Sequence, residues 1–228
     1  MADKFSAAVP AKRILVIGAG TFGRRAVHIL NAADPSLKTT IVDQNAPALA
    51  KFKNRSVRTV CRDGIVYLAE QLGGERPPDW IIPAIPEHMA YKWLRMELDP
   101  LYSIEPVSVP APVFEMLPNP IRGQNGEVYT SNAGFICPDD CPEPKTVCSC
   151  TGKPRPMILH SYLAGIIFQN FRSVTAVSRQ LAPGVGGYTP KALFETRGLV
   201  KASHTPVLLS TACKCHGVMN AFKIGSRK

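Results

Sequence analysis

Short apolar runs alternate with longer mixed stretches through the first hundred residues of the chain. Each run is continuous and ends at a glycine or a polar residue, which is typical of a buried parallel strand. The stretches between the runs are predicted to be helices, and Pro86 suits the first turn of the last of them. The predicted strands span residues 13–17, 39–43, 57–60 and 80–82, and the predicted helices span 21–32, 46–52, 65–72 and 86–96. This alternation predicts an α/β domain with a doubly wound parallel sheet of Rossmann type over residues 1–110.

The pattern changes after residue 100. Five prolines between residues 106 and 120 indicate a linker or an extended crossing segment. Beyond a cysteine-rich loop the α/β pattern returns, with helices predicted at 157–168 and 189–202 and strands at 173–178 and 206–211. We therefore expect a smaller, cysteine-rich α/β region over residues 111–228, packed against the first domain.

The turn after the first predicted strand has the sequence Gly18-Ala-Gly20-Thr-Phe-Gly23. In a dinucleotide-binding turn, the first glycine permits the sharp bend, the second lets a pyrophosphate approach the backbone, and the third allows close helix–strand packing. The helix N-terminus then offers free N–H groups to phosphates. Asp43 closes the second strand about 20 residues later, where a carboxylate accepts hydrogen bonds from ribose hydroxyls. That carboxylate repels a 2′-phosphate, so the predicted cofactor is NAD rather than NADP. The predicted cofactor-binding residues here are Gly18, Gly20, Thr21, Phe22, Gly23 and Asp43.

The alternative for this turn is a set of glycines required only by packing. The first half of the chain, over residues 12–95, nevertheless resembles the NAD-binding domain of TrkA-type potassium-uptake regulators. The resemblance rests on the segment from Ile14 to Arg25, on Ile-Val-Asp43, and on Cys61-Arg-Asp63-Gly64 after the third strand. It implies a nucleotide-binding Rossmann fold and a position for Asp63 close to the nucleotide. A fainter resemblance, in size and in the leading Rossmann domain, is to the siroheme-pathway precorrin-2 dehydrogenases.

Six of the seven cysteines lie in the second half of the chain. Cys137, Cys141, Cys148 and Cys150 form a Cys-x3-Cys-x6-Cys-x-Cys pattern on a proline-rich loop. Four thiolates could close a tetrahedral zinc site, and the Cys-Pro pairs are typical of some iron–sulfur ligands. Disulfides are the third possibility, and the absence of a signal peptide argues against them. The sequence therefore predicts a metal site at these four cysteines and leaves zinc and an iron–sulfur cluster undecided.

Cys213-Lys-Cys215-His216 follows the last predicted strand. The C-terminal ends of strands in α/β folds are where ligands and chemistry gather. His216 could lower the pKa of a neighbouring thiol and make it a nucleophile, or these residues could complete the metal site. The remaining possibility is a buried thiol pair with a structural histidine. We take Cys213, Cys215 and His216 as candidate catalytic residues, together with His88, a candidate acid–base after the fourth strand.

A second glycine-rich turn, residues 182–187, precedes a helix predicted to open at Thr189. Its backbone N–H groups could hold an anion, with Arg179 and Lys191 nearby, or the glycines could serve an ordinary loop. The ordinary loop is the favoured interpretation.

Charge and composition narrow the function classes. The net charge is +10, of which +7 falls after residue 110, but the basic residues form no run and no aromatic-interleaved patch. Part of this excess could balance thiolates, so nucleic-acid binding is not expected. No apolar run approaches the length of a membrane span, and the N-terminus lacks the apolar core of a signal peptide. A cytoplasmic protein is expected.

These features favour an NAD-dependent oxidoreductase with a small-molecule substrate, whose thiolate-bound metal or redox cysteines lie near the nicotinamide. A regulatory protein that senses NAD and redox or metal state is the alternative, because the first half resembles a regulator. A third hypothesis is a sulfur or metal carrier that uses Cys213 and Cys215. In each case we expect a homodimer.

Overall fold

The computed structural model describes residues 12–52, 57–144 and 146–227. Its first sheet has four parallel strands in the order β3-β2-β1-β4, which confirms a mixed α/β chain that begins with a parallel sheet. The strands are β1 (Arg13–Ile17), β2 (Lys38–Asp43), β3 (Val57–Cys61) and β4 (Trp80–Pro83), and the helices between and after them are α1 (Thr21–Ala33), α2 (Ala46–Leu49), α3 (Gly64–Gly73) and α4 (Met89–Leu98).

Strand β1 shows why a continuous apolar run forms a central strand. Ile14 and Val16 pack into a core on one face of the sheet, whereas Leu15 and Ile17 pack into a core on the other. Both faces are covered, so no position of the strand has to be polar. Helix α1 covers one face with Gly23, Ala26, Val27 and Leu30, which recur at helical spacing.

The second sheet is mixed and has six strands, in the order β6-β7-β12-β11-β8, with β5 also paired to β12. Strands β8 and β11 are parallel, and the other pairs are antiparallel. The remaining elements in chain order are β5 (Tyr102–Val107), α5 (Ala111–Met116), β6 (Ile121–Arg122), β7 (Val128–Ser131), α6 (Leu159–Ala164), β8 (Arg172–Val177), β9 (Arg179–Ala182), β10 (Val185–Gly187), α7 (Pro190–Lys201), β11 (Val207–Ala212) and β12 (His216–Arg227).

One hydrophobic core joins the two sheets. It contains Ile17 of β1, Trp93 of α4, Leu193 of α7 and Phe222 of β12, all almost fully buried. Helices α5 and α6 cover the opposite face of the second sheet. Strand β5 precedes residue 110 yet pairs with β12, so the first part of the chain contributes a strand to the second sheet. The boundary at residue 110 stays a prediction.

The second glycine-rich turn is part of a β-hairpin. Strands β9 and β10 form this hairpin, and it lies against β4, where Ile81 and Tyr188 exchange backbone hydrogen bonds of 2.9 and 3.0 Å. Gly187 packs against Ile81, because a Cβ at Gly187 would lie 2.6 Å from the carbonyl oxygen of Ile81. Packing therefore accounts for this glycine, as expected for an ordinary loop.

Several predicted boundaries change. The helix predicted at 157–168 is shorter and spans only Leu159–Ala164. The helix predicted at 86–96 begins at Met89. The proline segment 106–120 is not a linker, because it contains the end of β5 and helix α5. The segment after residue 215 forms β12, a twelve-residue strand that the sequence pattern did not predict. Among the helices of the described residues, none is long and apolar enough to cross a bilayer.

Candidate functional site

The glycine motif forms the turn between β1 and α1. Gly18 has a φ of +105°, and a Cβ there would lie 2.4 Å from the carbonyl oxygen of Ala84. A Cβ at Gly23 would lie 1.8 Å from the carbonyl oxygen of Gly18. Both positions exclude any other residue for reasons internal to the protein. Gly20 differs, because no heavy atom of the described residues lies within 4 Å of a Cβ built there. The open side of the turn is therefore at Gly20.

Asp43 lies at the end of β2, beside this turn. Its Oδ2 accepts a 2.6 Å hydrogen bond from the backbone N–H of Ala19, and its Oδ1 accepts one of 2.7 Å from Asn45. The carboxylate therefore holds the glycine turn against the end of β2. Each oxygen keeps a second lone pair that can accept a further hydrogen bond.

Asp63 caps the N-terminus of α3. Its Oδ1 accepts hydrogen bonds from Ile65 and Val66, and its Oδ2 accepts a 2.8 Å bond from Nε2 of Gln44. Gln44 directly follows Asp43, so the two carboxylates lie at neighbouring strand ends. The structure thus places the predicted residues of β1, β2 and β3 along one edge of the first sheet.

The first turn of α1 faces the cysteine-rich part of the chain. Thr21 and Phe22 are exposed, and 64% of the surface of Phe22 is accessible to solvent. Arg25, one turn later, forms a 2.8 Å ion pair with Asp139. This ion pair links α1 directly to the loop between Cys137 and Cys141.

The loop between Cys137 and Cys141 also docks on the β9–β10 hairpin. The carbonyl oxygen of Cys141 accepts hydrogen bonds from Nε2 of Gln180 at 2.6 Å and from the backbone N–H of Gly184 at 3.1 Å. Gly184 has a φ of +71°, and a Cβ there would lie 1.6 Å from the carbonyl oxygen of Asp139. The second glycine-rich turn therefore provides the surface on which the cysteine loop rests.

The four cysteines of the predicted metal site are neighbours in space. Burial raises the pKa of the Cys137 thiol, and the charges of Cys141, Cys150 and Cys148 raise it further. The pKa of Cys148 is lowered, because the side chain and backbone of Thr151 donate hydrogen bonds to its sulfur. All seven cysteines are free. Within the described ranges, no group of three or more His, Cys, Asp or Glu side chains stands in metal-binding geometry.

Cys213, Cys215 and His216 lie in the tight turn that joins β11 to β12. The N–H of Cys213 donates to the carbonyl oxygen of His216 at 2.9 Å and closes the turn. The Cys213 sulfur accepts hydrogen bonds from the N–H groups of Cys215 and His216, at 3.4 and 3.3 Å. The sequence placed these residues after the last strand, whereas they lie between two strands.

Two charged residues that the sequence analysis did not select contact this turn. Arg155 donates a hydrogen bond from Nε to the Cys215 sulfur at 3.0 Å and another to the carbonyl oxygen of Pro144 at 2.7 Å. Glu143 accepts a 2.8 Å hydrogen bond from the N–H of Lys214, and only 9% of its side chain is exposed. Burial, followed by the hydrogen bond with Glu143, raises the pKa of Cys213 to about 12. No motif marks either charged residue, because each lies in irregular chain far from its partner.

A cavity of about 450 Å³ brings these features together. Phe22 of the glycine motif lines it, as do the cysteine loop, the β9–β10 hairpin and the turn before β12. Its thiol and ionisable lining residues are Cys137, Asp139, Cys141, Glu143, Cys213, Cys215 and His216. Cys148 and Cys150 are not among the lining residues. The almost fully exposed Ile136 lies with Phe22 on the cavity wall.

His88 lies outside this cavity and is only 4% exposed. Its Nδ1 lies 2.8 Å from Oδ1 of Asn220, and its Nε2 lies 2.9 Å from the hydroxyl of Thr211. Burial lowers the pKa of His88 to about 4. Both ring nitrogens are already engaged, which suits a structural link between α4 and the second sheet better than proton transfer. Its role as an acid–base stays a prediction.

Comparisons with known proteins give a family and a relative. Residues 90–225 match the family AF_1314_C, described as "Uncharacterized protein, C-terminal domain". An uncharacterized protein of Archaeoglobus fulgidus is 26% identical over 226 residues, covering 92% of this chain and 98% of the relative. No solved structure matches the chain. Because the match covers more than half of its residues, the chain belongs to the AF_1314_C family.

Proposed function

We propose that the protein is an NAD-dependent oxidoreductase, in which a Rossmann-type domain over the first part of the chain binds NAD(H). The observation that carries the proposal is the shared cavity, which Phe22 of the glycine motif lines together with Cys137, Cys141, Cys213 and Cys215. A dinucleotide on the glycine turn would thus lie beside a cluster of thiols. Each feature alone fits many functions, whereas their contact favours redox chemistry.

The glycine turn supports dinucleotide binding through its one open position. Gly18 and Gly23 are explained by packing, but nothing in the described residues requires a glycine at position 20. In dinucleotide-binding turns, a glycine at this position lets the pyrophosphate of the ligand approach the protein backbone closely. The free N–H groups at the start of α1 suit the pyrophosphate, and the remaining lone pairs of Asp43 suit ribose hydroxyls. A carboxylate at that place favours NAD over NADP.

The proposal of a bound metal rests on the four thiols, which are potential metal ligands. Cys137 and its three partners, Cys141, Cys148 and Cys150, would repel one another as thiolates, and a soft cation removes that repulsion. Four thiols are the donor type that zinc or an iron–sulfur cluster requires, although no three of them stand in metal-binding geometry within the described residues. When bound, zinc would polarise a substrate oxygen, and a cluster would carry electrons.

Residues of the chain around the cavity would contact the substrate. Glu143 is buried against the turn before β12, where its carboxylate lies beside the Cys213 thiol. Phe22 and Ile136 offer exposed apolar surface to a bound ring, which would displace water from them. The substrate is a small molecule, because a cavity of about 450 Å³ lies in the usual range for such sites.

The first test is NADH binding, followed by fluorescence, with a substitution at the open position. Gly20→Val fills the space of the ligand, and its Cβ meets no described heavy atom within 4 Å, so we expect affinity to fall by roughly tenfold or more, or about 1.4 kcal/mol. Gly198→Val, in the middle of α7, is the matched control, because a Cβ there also meets no described heavy atom within 4 Å. Equal NADH affinity in the two variants would contradict the proposed dinucleotide site.

The second test addresses the reaction. Protein purified without oxygen is analysed for metal by elemental analysis and a UV–visible spectrum, and then incubated with NAD or NADH and a panel of alcohols, aldehydes and keto acids. Iron with labile sulfide, or stoichiometric zinc, together with turnover supports the oxidoreductase. Tight NADH binding with no turnover on any substrate contradicts it.

A non-catalytic sensor of NAD and redox or metal state is the second candidate. It is favoured by the contacts between the cysteine loop and α1, the Arg25–Asp139 ion pair at 2.8 Å above all. If that pair couples the two sites, NADH changes metal affinity and metal changes NADH affinity by the same factor. Reciprocal coupling without turnover would identify the sensor.

A further inference from the structure

The turn between β11 and β12 places two thiols on one wall of the cavity. Cys213 and Cys215 are separated by Lys214, and both line the space of about 450 Å³. We propose that Cys213 and Cys215 form a redox dithiol that reduces a small-molecule disulfide, with Cys215 as the attacking thiol and Cys213 as the resolving thiol. This activity goes beyond the proposed function and does not require a dinucleotide.

The surroundings of the two thiols differ, and this difference assigns the roles. Burial raises the pKa of the Cys215 thiol, and Arg155, which donates its Nε–H to the Cys215 sulfur over 3.0 Å, opposes that rise and favours the thiolate. Among the described residues no cation donates a hydrogen bond to the Cys213 sulfur, which instead accepts hydrogen bonds from two backbone N–H groups of its own turn. The hydrogen bond and charge of Glu143 raise the pKa of Cys213, which keeps this thiol protonated while Cys215 attacks. The attacking and resolving positions are therefore distinct before any substrate binds.

The fold holds these groups in place from both sides. Cys213 and Cys215 are fixed by the hydrogen bond that closes the turn and by the ladder between β11 and β12, which continues to Ala212 and Gly217. Glu143 is held by the N–H of Lys214, the residue between the two thiols. Arg155 is held by the carbonyl oxygen of Pro144, so acid and cation come from the same loop region.

The reaction is a thiol–disulfide exchange in two steps. In the first, the Cys215 thiolate attacks one sulfur of the substrate disulfide, a sulfur–sulfur bond forms to Cys215, and one substrate thiolate leaves. In the second, the Cys213 sulfur attacks the Cys215 sulfur, the bond between Cys215 and the substrate sulfur breaks, and the proton of Cys213 leaves with the released substrate thiol. The protein dithiol loses two electrons and becomes a Cys213–Cys215 disulfide, and the substrate disulfide gains them.

The two thiols lie on a cavity wall rather than on a protruding surface, so the substrate is small. Both cysteines are only partly exposed, whereas Cys61 is exposed and lies outside the cavity lining. A small aromatic disulfide can enter such a cavity, whereas a folded protein disulfide cannot bring its sulfur atoms to the wall. Dithiodipyridine is therefore a suitable probe, because each reduced molecule releases two coloured thiopyridones.

The experiment uses reduced, full-length protein and one equivalent of dithiodipyridine. After the reaction, free thiols are alkylated and the protein is digested with trypsin. Trypsin cuts after Lys214, between the two thiols, so a Cys213–Cys215 disulfide links the peptide 202–214 to the peptide 215–223 until it is reduced. We expect this linked pair as the main product, with two thiopyridones released per pair. Both peptides alkylated, or a disulfide within Cys137–Cys150 as the main product, would overturn the proposal.

Variants test the order of attack. Cys213→Ser should release one thiopyridone and leave a stable adduct on Cys215, whereas Cys215→Ser should slow the first release by tenfold or more. Cys61→Ser is the control and should react like the parent protein. If Cys213→Ser slows the first release as much as Cys215→Ser, the assigned order is wrong.

Arg155 acts as a positioning residue, and its test includes rescue. Arg155→Met should slow the first release by about threefold to tenfold, since loss of the cation reduces the thiolate fraction of Cys215. Arg155→Lys keeps the charge and should restore most of the rate. An unchanged rate in Arg155→Met would contradict the assignment. NADH binding, measured on Arg155→Met, should remain unchanged, because Arg155 does not line the cavity; this separates failure of this proposal from failure of the proposed dinucleotide site.

Discussion

Acidification should destabilise the protein through His88, which links the two sheets. The side chain bridges Asn220 of β12 and Thr211 of β11 from its position before α4. Because the carbonyl oxygen of Asn220 can only accept, Nδ1 carries the proton and Nε2 accepts from the hydroxyl of Thr211. The imidazole is therefore neutral, and protonation of Nε2 would break its hydrogen bond with the Thr211 hydroxyl.

The sign and size of the effect follow from the shifted pKa. Burial is the main cause that lowers the pKa of His88, from 6.5 to about 4, and the hydrogen bond with Asn220 opposes it. The folded state thus binds its proton at lower pH than the unfolded state. The contribution of His88 to the free energy of unfolding is fully present above pH 6.5. It is lost as the pH falls towards 4, because the unfolded chain takes up the proton at a higher pH than the folded protein does. At pH 4.5 the loss from this residue is about 2 to 3 kcal/mol.

The assay is urea unfolding at pH 7.5 and at pH 4.5. The difference in free energy of unfolding between the two pH values is measured for the parent protein and for His88→Gln, which stays neutral. We expect the parent protein to lose about 2 to 3 kcal/mol more than the variant. The control is His28→Gln, on the exposed side of α1, which should lose as much as the parent. Equal losses in the parent protein and in His88→Gln would refute the reasoning.

Three further predictions concern the glycine turn, the proposed dinucleotide site and the proposed metal site. Gly23→Ala should lower the free energy of unfolding by more than about 3 kcal/mol in denaturant titrations, because its Cβ would meet the carbonyl oxygen of Gly18, whereas Gly198→Ala should be neutral or stabilising. Asp43→Asn should weaken NADH binding and reduce the preference for NADH over NADPH in fluorescence titrations, because the repelling charge is gone. Removal of metal by a chelator at neutral pH should lower the melting temperature of the parent protein, and Cys141→Ser should abolish that difference.

The sequence predicted the first sheet well because its signals are local. Strand β1, the glycine turn and α1 follow one another, and each leaves its own pattern within a few residues. The glycine positions were also predicted for the right physical reasons at Gly18 and Gly23, where the structure shows a sharp turn and a close helix–strand contact. The resemblance implied that Asp63 lies close to the nucleotide, which stays a prediction; the structure shows it as the N-cap of α3.

The second sheet was predicted less well because its pairings are distant in sequence. Strand β5 pairs with β12 across more than a hundred residues, and no local pattern in residues 102–107 indicates that partner. Strand β12 was missed because small and polar residues such as Gly217, Asn220 and Gly225 interrupt its apolar positions. Asn220 is nevertheless buried, since it holds His88, so a core position looked like a surface one.

The candidate site shows the same limit at the level of single residues. Sequence reasoning found the glycine turn, the cysteine loop and the Cys213–Cys215 turn as three separate signals. It missed Glu143 and Arg155, whose partners in the last turn lie 71 and 60 residues away. The three signals meet because β1 of the first sheet and the parallel pair β8 and β11 of the second end at the same cleft. Each sheet alone predicts a ligand site at the carboxyl ends of its parallel strands. Only the packing of one sheet against the other brings the two sites into a single cavity.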